Sequence, residues 1–138
     1  MARPIKNNAE YFSHDCDASM DEKIMAIENE FGFKGYALYF KMLEIIAHSN
    51  YFEIEWTNRT KILYTGRLKV SVEELTDFIH FCIEIKAFEY KDDVLFSPGL
   101  KRRMQPLLEK RERMRIRSQK MAAERRRKLH ENQEDLFE

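Results

Sequence analysis

The chain has 138 residues, 43% of them apolar and 35% charged, with 10 Phe and 6 Tyr, which gives room for one packed domain and a tail. Its formal net charge is zero, but the charges are segregated: residues 1–100 hold 11 bases and 17 acids, 101–128 hold 13 bases and 3 acids, and 129–138 hold 4 acids with no Lys or Arg. No apolar run approaches a membrane span and residues 1–6 lack a signal-peptide core, so a cytoplasmic protein without membrane contact is expected.

Residues 1–18 are polar and irregular. Ser19 and Glu22 have the spacing of a capping box, and Ile24, Ile27 and Phe31 recur at helical intervals until Gly32 stops them. A second helix is expected over 34–48, with Tyr36, Phe40, Leu43 and Ala47 on one face and Gly35 as a close-packing position. The aromatic set Phe31, Phe33, Tyr36, Tyr39 and Phe40 is expected in the core. Residues 51–56 alternate apolar and acidic side chains, as a half-buried strand does. Thr57 or Asn58 then caps a third helix that Gly66 breaks. Ser71 and Glu74 open a fourth, which places Leu75, Phe78, Ile79, Cys82 and Ile83 on one side. Two short apolar runs around Lys91-Asp92-Asp93 predict a β-hairpin. From Leu100 the apolar density collapses. Leu107, Met114 and Met121 recur every seven residues, too thin a seam for a coiled coil. A long basic helix is expected once something is bound, kinked or restarted at Pro106.

The order helix, helix, strand, helix, turn, helix, hairpin predicts a mainly α fold with a small β-hairpin: a winged helix-turn-helix followed by a long basic helical arm. The expected divisions are an irregular segment 1–18, a winged-helix domain 19–98, a basic arm 99–130 and an acidic terminal peptide 131–138. Tyr11-Phe12-Ser13-His14-Asp15, Asp21-Glu22-Lys23-Ile24, Gly32-Phe33-Lys34-Gly35-Tyr36, Phe88-Glu89 and Leu100-Lys101-Arg102-Arg103-Met104 occur in that order. This string resembles the N-terminal domain of phage and prophage replication proteins related to DnaD. The resemblance implies a winged-helix domain in a DNA-replication or DNA-organising protein of mobile-element origin, with a homo-oligomer as one expected assembly.

A winged helix usually reads DNA with the helix at 71–86. Its outer side carries Glu73, Glu74, Asp77, His80 and Glu84, and the hairpin tip adds Asp92 and Asp93. Carboxylates beside phosphates oppose binding, so the tail is the better DNA site: Lys101, Arg102, Arg103, Lys110, Arg111, Arg113, Arg115, Arg117, Lys120, Arg125, Arg126, Arg127 and Lys128. Their spread over several turns favours phosphate tracking over base reading. Gln133, Asp135, Leu136 and Phe137 resemble the bacterial sliding-clamp-binding peptide, which implies Leu136 and Phe137 as anchors in a groove on the clamp.

Nothing points to an enzyme or a cofactor: there is no Gly-rich phosphate loop, nucleophile elbow or paired acid set. His14, Asp15, Cys16 and Asp17 are ligand-type neighbours with no distant partners to complete a metal site. Cys16 and Cys82 are far apart, and the sequence neither proposes nor excludes a disulfide. The function expected is a replication accessory or DNA organiser, with DNA on the arm and partner proteins on the domain. The alternatives are a sequence-specific regulator using 71–86, or an interaction protein acting through 133–137.

Overall fold

The first helix starts where a carboxylate can hold its unpaired amides. In the computed structural model, which describes residues 6–137 apart from the Phe137 side chain, α1 spans Glu22–Phe31. Its N-cap is Asp21, which accepts hydrogen bonds from the Lys23 and Ile24 amides at 3.0 and 3.2 Å. Ser19, the expected cap, lies instead in a short 3-10 turn over Ala18–Met20. Asp21 serves the same donors and adds a negative charge at the positive end of the helix.

Gly32, at φ 73°, ends α1, and α2 (Phe33–His48) begins at once. The two helices come closest at Gly35, where a Cβ would lie 2.6 Å from Phe31 Cβ and 2.9 Å from the Ile27 carbonyl oxygen. Both glycine roles expected from the sequence are present. The apolar face of α2 is the expected one only in part: Leu43 and Ala47 lie on it, but it is wider and centred elsewhere. Leu38, Tyr39, Met42, Leu43, Ile45, Ile46 and Ala47 are buried, whereas Tyr36 and Phe40 are half-buried and Phe33 is 86% exposed. The burial is this wide because several elements cover α2: α1, the strand β1 (Glu53–Glu55) and the N-terminal segment.

That segment is irregular, as expected, but it is fastened to the fold. The Ala9 amide donates to Ala47 O at 2.8 Å, the Tyr51 amide to Asn7 O at 2.9 Å, and the Asn8 side chain to His48 O at 2.7 Å. Residues 1–5 of the expected segment lie outside the described residues.

The expected strand at 51–56 shortens to β1, preceded by a 3-10 turn over Asn50–Phe52. Thr57 caps α3 (Asn58–Leu68) through reciprocal hydrogen bonds with Thr60. Gly66 does not break this helix, which closes at Lys69 in the left-handed region, φ 62°. One glycine costs a helix about 1 kcal/mol, too little to end it against a good cap and a packed neighbour. α4 (Val72–Glu84) starts at Ser71, whose Oγ accepts from the Glu74 amide at 3.1 Å. Its inner side, Leu75, Phe78, Ile79 and Cys82, is fully buried, with Ile83 half-buried. Phe31 meets Phe78 and Phe81 edge-on at 5.4 Å, joining α1 to α4.

The hairpin is β2 (Glu89–Lys91) and β3 (Val94–Phe96). Asp92 and Asp93 both take left-handed φ, 52° and 63°, as a two-residue type I′ turn requires. β1 pairs antiparallel with β3, giving the order β1-β3-β2. The architecture is mainly helical with a small three-stranded antiparallel sheet.

The last element, α5, runs from Pro98 to Phe137. Its first turns belong to the body, since Leu100 is fully buried and Met104 is 7% exposed. Two compact units result, Lys6–Met104 and the helix from Gln105 onward. The compact body thus reaches Met104. Helical backbone continues through Pro106 instead of restarting there, and it includes the expected terminal peptide as far as Phe137. Among the described residues, no helix is long and apolar enough to cross a membrane.

Candidate nucleic-acid interface

The thirteen cations expected to meet DNA fall into two environments. Lys101 is part of the body: its Nζ sits 2.5 Å from Glu53 Oε1 and 4.2 Å above the Phe96 ring. Arg102 and Arg103 are exposed but line a groove that also holds Asp15, Asp17, Asp21 and Glu22. Those carboxylates oppose a polyanion at this place.

The remaining ten lie on α5 beyond Gln105. Arg111 is half-buried, and Lys110, Arg113, Arg115, Arg117, Lys120, Arg125, Arg126, Arg127 and Lys128 are exposed. At 100° per residue, Lys110, Arg113, Arg117, Lys120, Arg127 and Lys128 share a sector roughly 100° wide, and 18 residues at 1.5 Å carry it about 27 Å along the helix. Sequence reasoning saw cations on every face and missed this stripe, although helical spacing over 110–128 is enough to find it. Glu109 and Glu124 fall in the same sector by the same geometry, and Glu109 accepts from the Gln105 side chain at 3.4 Å. Glu112 lies outside the sector and is bound by Arg115 through two hydrogen bonds, Nε to Oε2 being 3.2 Å. The Arg115 hydrogen bond holds the Glu112 carboxyl below the usual carboxylate range, opposed by slight desolvation. Arg127 is 3.9 Å from Glu131, a loose surface pair.

The helix at 71–86 presents what the sequence indicated. Glu73, Glu74, Asp77, His80 and Glu84 are all exposed, and Glu74 is paired with Lys34. At the hairpin tip the Tyr90 hydroxyl donates to Asp93 at 2.7 Å, and that bond pushes the hydroxyl pKa up. This face is electronegative.

The terminal peptide is not extended. Gln133, Asp135 and Leu136 are exposed on the end of α5, with His130 3.2 Å from Glu134 one turn earlier. The Phe137 side chain, the second expected anchor, lies outside the described residues.

In the ligand-type run near the N-terminus, His14 packs against α2, while Asp15, Cys16 and Asp17 are exposed. The His14 ring stacks on Phe40 at 4.0 Å and its Nε2 is 3.0 Å from the Tyr36 hydroxyl. Cys16 is exposed and Cys82 is buried, both as free thiols, and burial pushes the Cys82 thiol pKa up.

A family model described as Lin1244/Lin1753-like, N-terminal, matches residues 11–100. The chain is 35% identical over 97 residues to an uncharacterized phage-related protein Lin1244/Lin1753 of Listeria innocua serovar 6a, an alignment covering 70% of this chain. The chain spans only 30% of that relative's length. No solved structure gives a significant match. All thirteen cations discussed above lie beyond the family match, which ends one residue before Lys101.

Proposed function

The chain belongs to the phage-associated Lin1244/Lin1753-like, N-terminal, family, and we propose for it a DNA-replication accessory role in which the basic helix holds DNA and the body contacts proteins. The body is read as a winged helix of the DnaD-related kind. Supporting this are the order α2, β1, α3, α4, β2, β3 and the antiparallel sheet order β1-β3-β2.

The observation that carries the DNA reading is the exposed cationic stripe Lys110, Arg113, Arg117, Lys120, Arg127 and Lys128 on an unbroken helix. A row of exposed cations along a helix suits phosphates and carries no base information. The acidic outer side of α4 argues against groove reading by that helix. Clamp binding through residues 133–137 would require the end of α5 to unwind, since groove-bound peptides of this kind are extended.

Fluorescence anisotropy of labelled DNA with the full-length chain tests the reading. Four to six phosphate contacts give a log–log salt slope of about −3.6 to −5.4, so affinity falls roughly a hundred- to two-thousand-fold between 50 and 200 mM salt. Replacing the six stripe cations with Gln flattens the slope and weakens binding to all sequences alike. Equal binding by that variant overturns the reading. Protection of one defined sequence, lost on substitution in α4, establishes the regulator instead.

A further inference from the structure

The body is acidic, but α3 carries no acid at all. Residues 56–72 hold four of the 11 cations of the first hundred residues, Arg59, Lys61, Arg67 and Lys69, and none of the 17 acids. α3 lies inside this stretch. Its inner side is occupied: Leu68 is buried, Tyr64 stacks on Trp56 at 5.9 Å, and Lys61 Nζ is 5.8 Å from the same indole. Its outer side carries Arg59, Ile62, Leu63, Gly66 and Arg67, the i, i+3, i+4, i+7, i+8 positions of a single face, and all five are exposed. Ile62 is 62% and Leu63 66% exposed.

Gly66 adds an independent observation. Its φ is not in the left-handed region, and nothing lies within 4 Å of where a Cβ would be. The body gains nothing from a glycine there, while the helix loses about 1 kcal/mol relative to alanine. Gly66 lies one turn beyond Ile62 and Leu63, where a missing side chain lets another backbone come close. Two apolar side chains with a bare glycine beside them and an arginine at either end have the anatomy of a protein-binding hot spot, with an apolar centre and a cationic rim.

We propose that the outer face of α3 docks an acidic segment of another protein, which places two apolar side chains over Ile62, Leu63 and Gly66 and carboxylates on Arg59 and Arg67. The two arginines are eight residues apart, about 12 Å along the helix, so the matching carboxylates lie a similar distance apart on the partner. Phosphates fit less well, because the centre of the face is apolar. A second copy of this chain would bring the acidic outer side of α4, where Glu73, Glu74, Asp77 and Glu84 supply charge and Val72 is a lone exposed apolar residue. The proposal rests on the reading of the body as a protein-contact module. It is independent of the arm, so failure here leaves the DNA titrations of α5 standing.

The test uses the full-length chain and a labelled helical peptide with two leucines between glutamates eight residues apart, plus its Glu→Lys counterpart. The glutamate peptide binds the wild type, and R59E/R67E weakens it at least tenfold while gaining affinity for the lysine peptide. I62S/L63S weakens binding to a similar degree without unfolding the body, since both side chains are already exposed. G66A weakens binding while raising thermal stability, a combination that a purely structural residue does not produce. The proposal is overturned by no binding of the glutamate peptide, by binding unchanged in I62S/L63S, or by duplex DNA binding lost in R59E/R67E but intact in I62S/L63S. Concentration-dependent self-association abolished by I62S/L63S also overturns it, in favour of a second copy on this face.

Discussion

The same substitution at two glycines should have opposite effects. At Gly35 an alanine Cβ meets Phe31 Cβ at 2.6 Å and the Ile27 carbonyl oxygen at 2.9 Å. Neither is the end of a flexible side chain, so α1 and α2 must separate. Overpacking of this kind costs about 1–3 kcal/mol, and a backbone contact on one side puts Gly35→Ala at the upper end. The helical preference of alanine returns about 1 kcal/mol, leaving a net loss of about 1–2 kcal/mol. At about 4–8 °C per kcal/mol for a domain of this size, Tm falls by roughly 5–15 °C. Gly66→Ala has the same helical gain and meets nothing within 4 Å, so it raises Tm by up to about 4–8 °C. The assay is thermal unfolding followed by tryptophan fluorescence, because Trp56 is the single tryptophan and is 5% exposed within the body. If both variants shift Tm in the same direction, the close α1–α2 crossing is not what requires Gly35.

The cap of α1 separates two candidates. Asp21→Ala costs about 1 kcal/mol, and Ser19→Ala stays within about 0.5 kcal/mol, both read as midpoints of urea unfolding; the reverse order would restore Ser19 as the cap. Burial pushes the Tyr39 hydroxyl pKa up to about 12 from its ordinary 10, against a smaller lowering by Arg103. Between pH 10 and 12 the unfolded chain has released a proton that the folded chain keeps. The stabilisation, at most about 3 kcal/mol, is therefore complete below pH 10 and is lost as pH rises toward 12. Urea midpoints measured from pH 9 to 11.5 should fall in the wild type and fall less in Tyr39→Phe; equal slopes would refute the assignment.

Much of the element order was legible because each signal was local. Gly32 as a stop, Ser71 as a cap, and two apolar runs around Asp92-Asp93 each act within a few residues. The errors arose where distant contacts decide. Tyr36 and Phe40 looked like a core stripe, but α2 is covered by the N-terminal segment and the sheet as well as by α1, which turns Leu38, Met42 and Ile46 inward instead. Gly66 looked like a breaker because its propensity was read without the packing of α3 against α4. The basic tail was read as charge but not as a stripe, although spacing of 100° per residue over 110–128 already places six of its cations in one sector. Lys101 could not be separated from the other cations by sequence, because its partners, Glu53 and Phe96, lie on two strands.

The join at Pro106 bears on how the long helix comes to exist. Starting a helix is the costly step and extending it is cheap. The first turns of α5 are held by Leu100 and Met104 in the core and by Ser97 Oγ, which accepts from the Leu100 amide at 3.2 Å. The folded body is thus the seed from which the rest can propagate. Proline carries no amide hydrogen, so the rung from residue 106 back to Arg102 is missing from the ladder. Propagation is weakest at that rung. Past it the helix depends on local pairs such as Glu112–Arg115, and amide-hydrogen exchange should step from slow to fast on crossing it.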